Sequence, residues 1–157
     1  MIQVKLFLKD TDIPTLTAFS GNIDVDNLKP HIYIAQTTEI VRVLGLDLYN
    51  KIYADYVADD LTDVYKDIFD IYVIDMLTYF SCSLYMSFGG YKTTNNGVYK
   101  TSVEGASNVD LKELSNLVNK YNQLGVNVEQ NFITFMKDKN VPEYKQENVS
   151  KNIIPWY

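Results

Sequence analysis

At 157 residues, with 46 % hydrophobic and 22 % charged side chains, the chain is long and apolar enough for one domain with a single core, which argues against disorder. The 14 basic residues against 20 acidic ones leave a net charge of −6, which argues against counterion-driven binding to nucleic-acid phosphates. The single cysteine, Cys82, excludes a disulfide within the chain and, lying in an apolar helical run, reads as a buried thiol.

Residues 1–21 read as an N-terminal arm. Ile2, Val4, Leu6 and Leu8 alternate with Gln3, Lys5, Phe7 and Lys9, which suits a strand or an extended segment, before Pro14 and Ser20-Gly21-Asn22 break the pattern. The opening MIQVKLFLKDTD lacks the basic flank, long apolar stretch and small-residue cleavage site of a signal peptide, so synthesis in a cytoplasm is expected.

Residues 22–88 read as three helices. Asp24 and Asp26 are expected to cap the first, with Pro30 in its early turn and Gly45 as a left-handed stop. Leu46–Ala58 forms the second, carrying Leu48, Ile52, Tyr53 and Tyr56 along one side. The third starts near Asp60 and continues to Phe88, becoming apolar all round in its second half. Asp70 and Asp75 within it count against a membrane span, since an acidic residue at membrane depth costs about 2.5–3.5 kcal/mol.

Residues 89–106 form a hairpin and link. The run GGYKTTNNGVYKTS sets two Tyr/Lys/Thr stretches around Asn96-Gly97, a pair that supplies the positive φ angles of a tight turn. An isolated two-stranded hairpin is marginal in water, so this one is expected to lean on a neighbouring subunit. A capping pattern, Ser107-x-x-Asp110, then opens a last helix over 107–140, in which Gly125 is expected to kink the axis and after which Pro142 bars continuation. The tail, 141–157, is polar until Ile153-Ile154-Pro155-Trp156-Tyr157, where the chain's only tryptophan sits. The expected class is therefore mainly α: a bundle of about four helices with an inserted β-hairpin and extended N- and C-terminal arms.

Chemistry-bearing motifs are scarce. His31 is the only histidine and has no zinc-type companions, Asp24-Val25-Asp26 lacks the glycine and closing glutamate of a calcium loop, and Gly89-Gly90 lacks the ending of a phosphate loop. No metal, cofactor or catalytic residue is expected; an enzyme would need a deep pocket at Asp70 or Asp75. Tyrosine, by contrast, is abundant at 13 residues, and it serves both partly wet cores and interfaces. The helical tyrosines are assigned to the core. The candidate subunit or partner interface comprises Tyr91, Lys92, Val98, Tyr99 and Lys100 in the hairpin with Ile154, Trp156 and Tyr157 in the tail.

Three ordered segments carry a resemblance. Residues 22–49, NIDVDNLKPHIYIAQTTEIVRVLGLDLY, hold an opening Asn-Ile, Ala35-Gln36 and the corner Leu44-Gly45-x-x-Leu48-Tyr49. Then come Thr94-Asn95-Asn96-Gly97-Val98-Tyr99, and Phe135-Met136-x-x-Lys139-Asn140-Val141-Pro142-Glu143-Tyr144. In that order the chain resembles the head–tail connector proteins of tailed bacteriophages, in particular those of crAss-like phages and other phages and prophages of Bacteroidota. The resemblance covers about residues 22–145. It implies a virion protein at the head–tail junction, present in the host cytoplasm during assembly. Such a subunit forms a homo-oligomeric ring, twelvefold in the family's common form, beneath the portal protein. There it contacts tail or other connector proteins, with DNA passing through unbound and no membrane involved. The competing reading is a small helical adaptor or regulatory protein that binds a host or phage protein through its Tyr-rich surface.

Overall fold

The computed structural model of the chain describes residues 4–9, 11–17, 25–88, 91–94, 97–100 and 111–145. Over these residues the fold is mainly helical, as the apolar spacing predicts. A one-turn helix, α1, spans Ile13–Leu16 with Pro14 as its second residue. Helix α2 runs without a break through Lys29–Ala35, Gln36–Ile40 and Val41–Leu44, its middle part wound in wider π turns. Helix α3 is Leu46–Ala58. Helix α4 joins Asp63–Asp67, the π-wound Ile68–Val73 and Ile74–Phe88, and α5 is Leu111–Met136. Between α4 and α5, strands β1 (Tyr91–Thr94) and β2 (Gly97–Lys100) pair antiparallel.

Local chemistry explains most of the punctuation. Pro30 sits at the start of α2, where its missing N–H costs nothing. Gly45 separates α2 from α3 at φ 76° and ψ 156°, so it is a positive-φ stop but not the left-handed cap expected of it. That region of backbone space is open essentially to glycine alone. The left-handed cap occurs instead at the end of α3. Asp59 adopts φ 57° and ψ 39°, and the N–H groups of Asp59 and Asp60 donate to the carbonyls of Tyr56 and Asp55 at 3.3 and 2.8 Å, closing the last turn as a Schellman motif.

Asp26 does not cap α2. It lies in a single turn, Val25–Asn27, and pairs at 2.7 Å with Lys29, whose hydrogen bond lowers the Asp26 pKa; the N-cap position of α2 is Leu28, which offers no side-chain cap. Asp24 and the Ser107/Asp110 pattern lie outside the described residues.

Helix α4 is the post around which the rest packs, with Ile68, Val73, Met76, Leu77 and Cys82 fully buried. By length and composition it could also cross a membrane; here it is a helix flanked by α2 and α5, with α1 touching it as well. Burial pushes the Cys82 thiol up to about 12, consistent with an inert core cysteine. Helix α5 runs through Gly125 without interruption. A side chain there would meet the buried Phe80 ring, whose nearest carbon lies 2.6 Å from the position a Cβ would take. Glycine thus lets α5 lie close against α4, offsetting its poor helix propensity.

Candidate interaction surfaces

Residues 4–9 of the N-terminal arm are neither free nor part of a sheet. A bend at Phe7 and Leu8 turns both consecutive side chains into the core, so the alternation read from the sequence does not hold there. The backbone of residues 5–7 is held by side chains of α2 and α3. Lys5 N–H donates to Tyr53 Oη at 2.9 Å, and Tyr56 Oη donates to the Leu6 carbonyl at 2.9 Å. The fully buried Gln36 amide takes the flanking groups: Phe7 N–H donates to its Oε1 at 2.8 Å, and its Nε2 donates to the Lys5 carbonyl at 3.2 Å. Gln36 thus makes the two bonds that a residue on a parallel neighbouring strand would make. Its Nε2 also donates to Tyr49 Oη at 3.2 Å.

Around Phe7 stand the rings of Tyr49, Tyr53, Tyr56 and Phe69, with centroids 5.1 to 5.9 Å away. The tyrosine stripe of α3 is therefore the seat for residues 4–9 of the same chain. Lys5 adds its ammonium 4.5 Å above the Tyr56 ring.

A second clamp ties α2 to the C-terminal half of α5. Arg42, the only arginine in the sequence, donates from Nη1 and Nη2 to the two carboxylate oxygens of Glu129 at 2.9 and 2.8 Å, and from Nε to Glu39 at 3.0 Å. Glu129 is buried, and its hydrogen bonds raise the Arg42 pKa above its ordinary value. Beyond α5 the chain turns back. The Tyr144 ring meets Phe132 edge-on at 5.3 Å, Tyr65 Oη donates to Glu143 at 2.8 Å, and Lys145 pairs with Asp47 at 2.8 Å.

The N-terminal half of α5 differs. Leu117 and Leu124 are 40 % and 42 % exposed and, with the half-exposed Leu16 of α1, rim an open groove of about 460 Å³. Thr15, Thr17, Tyr79, Lys120 and Tyr121 complete its lining, and the Tyr79 and Tyr121 rings lie 6.5 Å apart.

Of the interface residues selected from the sequence, those in the hairpin fall on β1 and β2, where the register sets Tyr91 opposite Lys100, Lys92 opposite Tyr99 and Thr93 opposite Val98. Ile154, Trp156 and Tyr157 lie outside the described residues. Asp70 is exposed and paired with Lys66 at 2.6 Å. Asp75 is also exposed, its pKa raised by partial desolvation, and neither aspartate lines the groove. His31 hydrogen-bonds through Nδ1 to the Asn27 carbonyl at 2.8 Å and meets the Tyr85 ring edge-on. Among the described residues, no group of three or more His, Cys, Asp or Glu side chains is placed to hold a metal.

Sequence reasoning missed Gln36, Arg42 and Glu129 as organising residues. A lone arginine in an acidic chain and a glutamine on an apolar helix were the available signals.

A family of unknown function, DUF6712, matches residues 40–153, from the end of the π-wound part of α2 to beyond α5. The chain belongs to that family. The match takes in the tyrosine seat on α3 and both Arg42 and Glu129 of the clamp, and leaves the arm, Gln36 and Glu39 outside it. Nothing among curated proteins or solved structures matches the chain.

Proposed function

We propose that the protein is a structural connector of a tailed phage, a subunit of a ring beneath the portal that joins capsid to tail and extends the DNA channel. The observation that carries this reading is the ordered set of three segments, 22–49, 94–99 and 135–144, that resembles head–tail connector proteins. Two physical features support it. A net charge of −6 suits a channel wall that DNA must pass without sticking, because each basic contact would hold a phosphate. The inserted strand pair, whose register sets Tyr91 opposite Lys100 and Lys92 opposite Tyr99, suits an element that reaches onto an adjoining copy, since a lone hairpin is marginal in water. Head-to-tail contacts repeated around an axis close into a ring when the rotation returns on itself.

Deleting residues 92–100 tests the reading. Helicity by circular dichroism is expected to survive while rings vanish from negatively stained images. Rings that persist without the strand pair would remove it from the interface. Wild-type protein that stays monomeric alone and with portal, or forms only one-to-one complexes, would favour the adaptor reading instead.

A further inference from the structure

We infer that the groove rimmed by Leu16, Leu117 and Leu124 is the seat for residues 153–157, Ile-Ile-Pro-Trp-Tyr, of an adjoining copy; this rests on the ring reading above. Donor and acceptor lie at opposite ends of α5. The described chain ends at Lys145, pinned to Asp47 at the first turn of α3, with Tyr144 packed on Phe132. The groove surrounds Leu117–Leu124 of α5, and from Phe132 back to Tyr121 along the helix is roughly 16 Å at ~1.5 Å per residue. An extension at one end and a receptor at the other is the arrangement a head-to-tail contact requires.

The chemistry of the groove fits that occupant. Exposed leucines and two tyrosine rings offer an apolar bed for isoleucine and tryptophan, and among the described lining residues Lys120 alone is charged. A lysine beside an apolar pocket suits the face of a tryptophan, the ring that attracts cations best. The linking stretch 146–153 spans at most ~26 Å at ~3.3 Å per residue, so the tail can reach well beyond the turn that holds Lys145.

Trp156 is the only tryptophan, so its fluorescence in the full chain reads the seat directly. In assembled wild-type protein its emission is expected to lie to the blue of the same protein diluted to monomer, with size followed by light scattering. Replacing both Leu117→Gln and Leu124→Gln is expected to abolish the blue shift and weaken assembly, with circular dichroism and the Tm of the diluted monomer unchanged. A blue shift that survives this double variant means the tail sits elsewhere and overturns the inference. One that persists in the diluted monomer means that each copy covers its own groove, and overturns it equally. Assembly with solvent-like Trp156 emission sinks the seat but leaves the ring. Failure to assemble at any concentration, with solvent-like emission, sinks both.

Discussion

The two halves of α5 are made of similar residues and are used differently. In the C-terminal half, Phe132 and Met136 are buried, Glu129 is held by both terminal nitrogens of Arg42, and Tyr144 folds back over the helix. In the N-terminal half, Leu117 and Leu124 keep two-fifths of their surface in water beside a groove. Large apolar side chains at helical spacing in one continuous helix thus mark a finished core at one end and an open surface at the other. The difference lies in what the rest of the chain brings to each half. Helix α2 supplies Arg42 and the turn after α5 supplies Tyr144, whereas the only described neighbours of the groove are Tyr79 and one turn of α1.

This contrast can be broken at its strong end first. Phe132→Ala removes a fully buried ring that touches Tyr72 and Tyr144, and is expected to cost about 3–5 kcal/mol in denaturant unfolding. Arg42→Lys keeps the charge but cannot reproduce the two-pronged contact with the buried Glu129. It is expected to cost about 2–3 kcal/mol, and Glu129→Gln in the same background should recover part of that by removing the poorly paired carboxylate. Recovery to wild-type stability by lysine alone would show that charge, and not the fork geometry, holds α2 to α5.

Gly125 lies between the two halves. Gly125→Ala gains about 1 kcal/mol of helix propensity but drives a methyl group into the Phe80 ring, and overpacking of this kind costs about 1–3 kcal/mol. Net destabilisation of about 1 kcal/mol is expected, and Phe80→Leu combined with Gly125→Ala should cost less than the sum of the two single changes. Additive effects would mean the ring already has room to move. The smallest effect is expected at the open end. Leu117→Gln should change stability by no more than about 0.5 kcal/mol, because the side chain is already well exposed. A loss above 1 kcal/mol would show that this half is core after all.

The same contrast separates what could be read along the chain from what could not. Helix α3 was legible to the residue, and α4 to within three residues of its start, because their apolar spacing and the breakers around them are local. Gly45 and Pro30 announced their places through restrictions that act on a single residue's backbone. The packing role of Gly125 was not legible, for the opposite reason. Its purpose depends on Phe80, 45 positions earlier in the numbering, and nothing nearby in sequence reports that contact. Residues 4–9 were legible as an extended segment but not in what holds them: their partners Gln36, Tyr53 and Tyr56 are 29 to 50 positions away. The tyrosines of α3 were correctly placed toward the interior, but that they hold an extended segment of the same chain is a property of the fold.

From the sequence alone came the four longer helices, the breaks at Gly45 and after Ala58, the acidic balance and the buried cysteine, since each follows from the composition, periodicity or backbone freedom of neighbouring residues; the single turn α1 and the end of α5 at Met136, short of the expected 140, did not. The tertiary structure decided which polar groups organise the core. The Gln36 amide, the Arg42–Glu129 pair, 87 positions apart, and the cleft left for the Phe80 ring exist only once distant segments are brought together. A buried polar group needs a partner of matching geometry, and only the fold determines which partner reaches it.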